Sequence, residues 1–214
     1  MGASDILEVF SIYGQATISS VEACRALAYF PIDSIKSDRD SSAIPASGSV
    51  SFVLRVFNAK HGETLPKDFT LMVNPVSGTQ NSNWSWQEGR GLDMEEYSDK
   101  MPVSWISASL TDDWLVTGGD FHTASYTAGT NLPHYTQYFD TGTENLEIDI
   151  SELVEQWISG TLNPVTDHVR RNHGLGIMLT GSQENSTTTY FTKRFFARTS
   201  EFFYKRPIIE ARWD

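Results

Sequence analysis

In the stretch SVSFVLRVF, Ser49 to Phe57, Val50, Phe52, Leu54 and Val56 share one parity, and Ser51, Val53, Arg55 and Phe57 share the other. Successive side chains of an extended chain point to opposite faces, so this spacing predicts a strand with at least one face in a core. NLEIDI repeats the pattern, with Leu146, Ile148 and Ile150 inward and Glu147 and Asp149 outward. That is the signature of a strand with one solvated face, common in antiparallel sheets.

Six further segments carry the same kind of signal: ILEVFSI, CRALAYF, DFTLMVNP, GLGIMLT, TTTYFTKRFF and RPIIEARW. All are short, rich in β-branched or aromatic residues, and bounded by Gly, Pro, Asn, Asp or Ser. One helix is expected in DISELVEQWISG. Ser151 is the expected N-cap, Leu153, Val154, Trp157 and Ile158 form an apolar stripe, and Gly160 is the stop. Between Val76 and Glu144 the chain is irregular, acidic and glycine-rich, too long for a hairpin connection, with VSWISASL and DWLVTGG as loops or extra strands. The fold expected is all-β: a jelly-roll-like antiparallel β-sandwich with one short helix and long decorated loops, forming a single domain over residues 1–214.

The net charge of −11 argues against gripping phosphate backbones, which needs clustered Lys and Arg, so no nucleic-acid partner is expected. No apolar run approaches the roughly 20 residues that span a bilayer, and the first residues lack the basic flank and apolar core of a signal peptide. No membrane partner is expected either. Cys24, the single cysteine, excludes an internal disulfide and reads as a small buried hydrophobe.

Catalytic signals are weak. His61, His122, His134, His168 and His173 form no metal-binding pair, and neither a nucleophile elbow nor a phosphate-binding glycine loop occurs. Glu88, Asp93, Glu95, Glu96 and Asp99 are hard oxygen donors, but without the ligand spacing of a calcium loop they read as a solvated acidic stretch. No enzyme activity, cofactor or metal is expected. Trp84 and Trp86 alternate at strand spacing, which turns both rings to one side. With Tyr97 they are candidates for stacking on sugar rings, against the competing reading that large rings anchor a long loop to the sheet.

The last segment departs from the rest. From Tyr190 to Asp214 there are six basic and three acidic residues, a balance of +3 that leaves −14 for the remainder. TTTYFTKRFF reads as the penultimate strand and RPIIEARW as its hairpin partner, with Pro207 at the strand start, where a proline costs no ladder hydrogen bond. Trp213 shares a parity with Ile209 and Ala211 and is expected to close a core. Lys193, Arg194, Arg198, Lys205 and Arg206 are left around one turn as a candidate partner-binding patch.

The order of these segments resembles the C-terminal half of the DNRLRE-type β-sandwich domains. The resemblance runs through Asp149, Ile150 and Ser151 into a helix with Trp157 and Gly160. It continues with the turn of Asn172 and Gly174, the pair Ser200 and Glu201, then Arg206, Pro207 and Trp213. GASDILEVF, CRALAYFPIDSI and IPASGSVSFVLRVFNA fit the N-terminal half, so nearly the whole chain is covered. No literal D-N-R-L-R-E string occurs. The strand that precedes the G-x-S segment in that family is either missing here or supplied by another copy. YFTKRFFARTSEFFYKRPIIEARWD and WQEGRGLDMEEYSD are also similar in wording to structural proteins of tailed marine and cyanobacterial bacteriophages. The resemblance implies a structural or adhesive protein located in the virion, in contact with copies of itself and with other virion proteins. Relatives of this sandwich that bind carbohydrate imply the alternative of a module recognising a host-surface polysaccharide.

Overall fold

The structure of the protein, a computed structural model, describes residues 2, 4–13, 21–60, 62, 66–77, 86–89, 103–122, 135–159 and 172–214. Its strands are β1 (Ile6–Tyr13), β2 (Val21–Cys24), β3 (Ala26–Ala28), β4 (Ser51–Val56), β5 (Phe69–Pro75), β6 (Tyr135–Phe139), β7 (Leu146–Asp149), β8 (Leu175–Leu179), β9 (Phe191–Phe196) and β10 (Ile208–Arg212). They pair antiparallel throughout, in the orders β2-β1-β9, β10-β4-β7 and β3-β8-β5-β6.

The first two sheets are stitched where β4 runs on past Val56. Asn58 bridges Phe195, the Phe196 amide donates to the Phe57 carbonyl (2.9 Å), and the Ala59 amide donates to the Arg194 carbonyl (3.1 Å). Together they face the four-stranded sheet, giving the expected all-β, sandwich-like architecture. The main core draws Val9 and Phe195 from one sheet, Phe52, Leu54 and Val56 from the next, and Phe69, Leu71 and Val73 from the third. Rings lock the layers: Phe69 of β5 lies 6.0 Å from Phe191 of β9, and Phe139 of β6 lies 6.4 Å from Phe195 of β9. Phe52, Leu54 and Val56 point inward as their alternation predicts, and so do Leu146, Ile148 and Ile150.

Among the described residues three α-helices appear where one helix was expected: α1 (Asp33–Asp40), α2 (Ser151–Ser159) and α3 (Gly181–Glu184). α1 escapes a periodicity search because DSIKSDRD buries no residue. Ile35 packs partly buried against the main core, and Arg39 pairs with Glu155 of α2 (2.6 Å), its guanidinium also over the Phe52 ring. α2 buries Leu153, Val154, Trp157 and Ile158 as its stripe requires. Ser151 is not its cap, however: the Ser151 hydroxyl accepts the Phe52 amide (2.7 Å), and Asp149 Oδ1 accepts the Ser151 amide (2.9 Å). Asp149 thus takes the first amide of the helix, while the Ser151 hydroxyl ties the helix start to β4. The expected stop, Gly160, lies outside the described residues.

CRALAYF breaks in two at Arg25, so that β2 joins β1 while β3 joins β8 in the opposite layer. VSWISASL and DWLVTGG are not strands. They form one compact turn closed by the bridge of Ser107 to Asp113. Cys24 is half-buried rather than buried, its thiol donating to the Glu8 carbonyl (3.4 Å).

Candidate contact face

β9 and β10 are not a hairpin. β9 pairs with β1 and β10 pairs with β4, and residues 197–207 cross between two sheets. The crossing is tied to the chain start: the Ala197 amide donates to the Asp5 carbonyl (2.8 Å) and the Thr199 hydroxyl donates to the Ser4 carbonyl. Ser200 is buried, its carbonyl accepts Arg206 Nε (2.9 Å), and its hydroxyl accepts the Phe202 amide (3.2 Å). Pinned at this base, a 3₁₀ turn (Phe203–Lys205) projects as a knob with Phe203 67% and Tyr204 89% exposed. Lys205 Nζ lies 5.0 Å from the Phe196 ring and 5.3 Å from Phe202, while the Arg206 guanidinium lies 5.2 Å from Phe203. Cations over ring faces hold the knob's shape without occupying its outer side.

The five basic residues of the expected patch do not share one surface. Lys193 is 0% exposed and leaves the expected patch. Its ammonium donates to Asn58 Oδ1 (2.7 Å), the Gly142 carbonyl (2.8 Å) and the Glu144 carbonyl (2.7 Å), between the rings of Phe139 and Phe195. In FTKRFF it shares parity with Phe191 and Phe195, so the same alternation that identifies the strand turns Lys193 inward. Burial pushes its pKa down to about 8, opposed by the Glu144 carboxylate. Arg194 pairs with Glu8 across β1 (2.5 Å). Arg198 pairs with Glu88 through two bonds (2.9 and 2.6 Å), and that carboxylate holds its guanidinium pKa above the ordinary value. Lys205 and Arg206 remain beside the knob. Trp213 does not close a core: it lies one residue past the end of β10 and stays 49% exposed.

Beside the knob lies a cleft of about 740 Å³. It is lined by Ala23 to Pro31, by Trp86, Glu88, Trp105 and Trp114, and by Arg198 and Pro207, which bracket the knob. Arg25, at the break between β2 and β3, braces the cleft. It donates to both Glu184 oxygens (2.7 and 2.5 Å) and to the Gly118 carbonyl (2.9 Å), with Trp105 stacked 4.8 Å away. A bidentate guanidinium–carboxylate pair of this kind fixes geometry as well as charge. Trp86 Nε1 donates to the His173 carbonyl (2.8 Å) and Trp114 Nε1 to the Ser104 carbonyl (3.0 Å). Both rings pack on a small second core with Val76 and Ala108, so these tryptophans anchor the long loop to the sheet. Of the candidate sugar-stacking residues Trp84, Trp86 and Tyr97, only Trp86 is among the described residues.

The loop that lines the cleft through Trp105, Trp114 and Gly118 also carries an apolar ridge. Ile106, Leu110, Leu115 and Val116 are exposed, Leu115 to 71%. Polar bonds hold the ridge from beneath: buried Asp120 accepts the amides of Leu115 (2.9 Å) and Val116 (2.8 Å). At its tip the Thr111 and Ser109 hydroxyls lower the Asp112 pKa, keeping that carboxylate ionised beside Asp113. Reading VSWISASL and DWLVTGG as decorated loops or extra strands does not single out this ridge, because Ile106, Leu110, Leu115 and Val116 are distinguished only by their exposure.

Among the described residues no three His, Cys, Asp or Glu side chains converge as metal ligands. Glu88 is the described member of the acidic stretch, and its partner is Arg198. No protein-family model, no curated protein and no solved structure matches the chain.

Proposed function

We propose that this chain is a non-catalytic structural or adhesive component of a bacteriophage particle, acting through protein–protein contacts made by its C-terminal knob. The observation that carries the reading is the projection of Phe203 and Tyr204, two large rings in solvent with Lys205 and Arg206 at their base. Aromatic residues and arginine are the side chains enriched in protein interfaces, and rings exposed this far cost solubility unless they are covered in an assembly. The resemblance of the tail to structural proteins of tailed phages supplies the setting. The test is particle composition. A phage carrying Phe203→Asp with Tyr204→Asp is expected to hold at least about thirtyfold fewer copies of the chain, the loss that corresponds to an interface hot spot of about 2 kcal/mol. Full incorporation of that variant would sink the proposal.

A carbohydrate-binding module is the second reading, and the cleft favours it, because Trp86, Trp105 and Trp114 all line a hollow of ligand size. Trp105 is the ring with exposed surface to offer a sugar. Binding of the purified chain to host-surface polysaccharide, lost in Trp105→Ala, would favour this reading. An absence of binding to any such polysaccharide counts against it.

A further inference from the structure

Ridge, cleft and knob adjoin one another. Trp105 and Gly118 at the ridge base line the cleft, and so do Arg198 and Pro207 at the knob base. Between Arg198 and Pro207 the chain carries aromatic rings with cations, Lys205 and Arg206. Between Trp105 and Gly118 it carries exposed aliphatic side chains with anions, Asp112 and Asp113. A surface whose two sides complement each other in both apolarity and charge satisfies itself when a second copy is turned by a two-fold rotation, because each side then meets its opposite.

From this we infer that the face is an isologous interface between two copies of this chain, the knob of each seated on the ridge and cleft of the other. The areas agree. A large aromatic ring offers roughly 150–250 Å² in all, and with Phe203 67% and Tyr204 89% exposed the rings of two copies can bury about 470–780 Å². The surfaces that cover them lose a similar amount. The total, about 900–1,600 Å², reaches the range of stable specific interfaces. This inference rests on the contact role proposed for the knob and names its partner.

Sedimentation velocity of the purified chain over about 1–100 µM reads the association directly. Wild type is expected to form dimers. A ridge variant, Leu110→Lys with Leu115→Lys, and a knob variant, Tyr204→Glu with Lys205→Glu, are each expected to stay monomeric with an unchanged melting temperature. Mixed in equal amounts, the two variants are expected to form a heterodimer, since the reversed knob meets the reversed ridge at one contact and two wild-type surfaces meet at the other. Misfolding cannot produce that rescue. A monomeric wild type, dimers in either variant alone, or a mixture that stays monomeric would each overturn the inference. If wild type is monomeric while Phe203→Asp with Tyr204→Asp is still excluded from particles, self-pairing fails and the particle role stands. If dimers form but particles ignore the same substitutions, the particle role alone fails.

Discussion

The Lys193 ammonium rests on three oxygens between two phenylalanine rings, an arrangement that satisfies all three of its protons in the interior. Lys193→Met keeps the volume but leaves Asn58 Oδ1 and two carbonyls without their donor, so a loss of about 2–4 kcal/mol is expected in urea denaturation. Its pKa adds a pH signature. With the folded value at about 8 against an ordinary 10.5, the unfolded chain binds more protons across that interval. Raising the pH from 8 towards 10.5 therefore favours the folded state. The stability of wild type relative to Lys193→Met is expected to rise over this window. A flat difference would mean that Lys193 titrates alike in both states. That Lys193 points inward was legible in the parity of FTKRFF. What received it was not, because Gly142 and Glu144 come from the segment before β7 and Asn58 from the end of β4.

At the scale of elements, the loop from Val103 to His122 adheres to the outer face of the four-stranded sheet through close contact at one glycine. Gly176 in β8 faces the Phe121 ring so closely that a Cβ there would lie 2.1 Å from a ring carbon. Gly176→Val is expected to expel Phe121 and loosen the loop, at about 1–3 kcal/mol for overpacking. Hydrogen exchange of the Leu115 and Val116 amides, which Asp120 accepts, is expected to accelerate more than that of β1 or β4. Uniform protection across both regions would show that the loop does not depend on this contact. Strands with alternating apolar residues and the striped helix α2 were legible element by element. β6, with the pattern YTQYF, and α1, with no buried residue, were not. Both are held by neighbours rather than by a strong period of their own: β6 by its ladder to β5, and α1 by Ile35 against the core and the pair of Arg39 with Glu155.

In the whole molecule the two ends of the chain meet. β1 lies between β2 and β9, β10 lies beside β4, and the crossing from Ala197 to Pro207 is bonded to Ser4 and Asp5. Removing residues 208–214 exposes the free edge of β4 and the core beneath Ile209 and Ala211. The truncated chain is expected to lose cooperative melting, whereas Trp213→Ser, which removes an exposed ring, is expected to shift stability by less than about 0.5 kcal/mol. Calorimetry of the two variants separates these outcomes, and a cooperative transition in the truncated chain would show that the last strand is dispensable. By itself the sequence determined the all-β class, the inward faces of its clearest strands and the concentration of positive charge near the end, because parity and composition are local properties. Only the tertiary structure decided that β9 and β10 belong to different sheets, that Lys193 is internal, and that the chain beside the aromatic knob and the loop of the apolar ridge line the same cleft. Those placements depend on which distant strands pair, and pairing is set by how the layers close over a shared core rather than by any one segment.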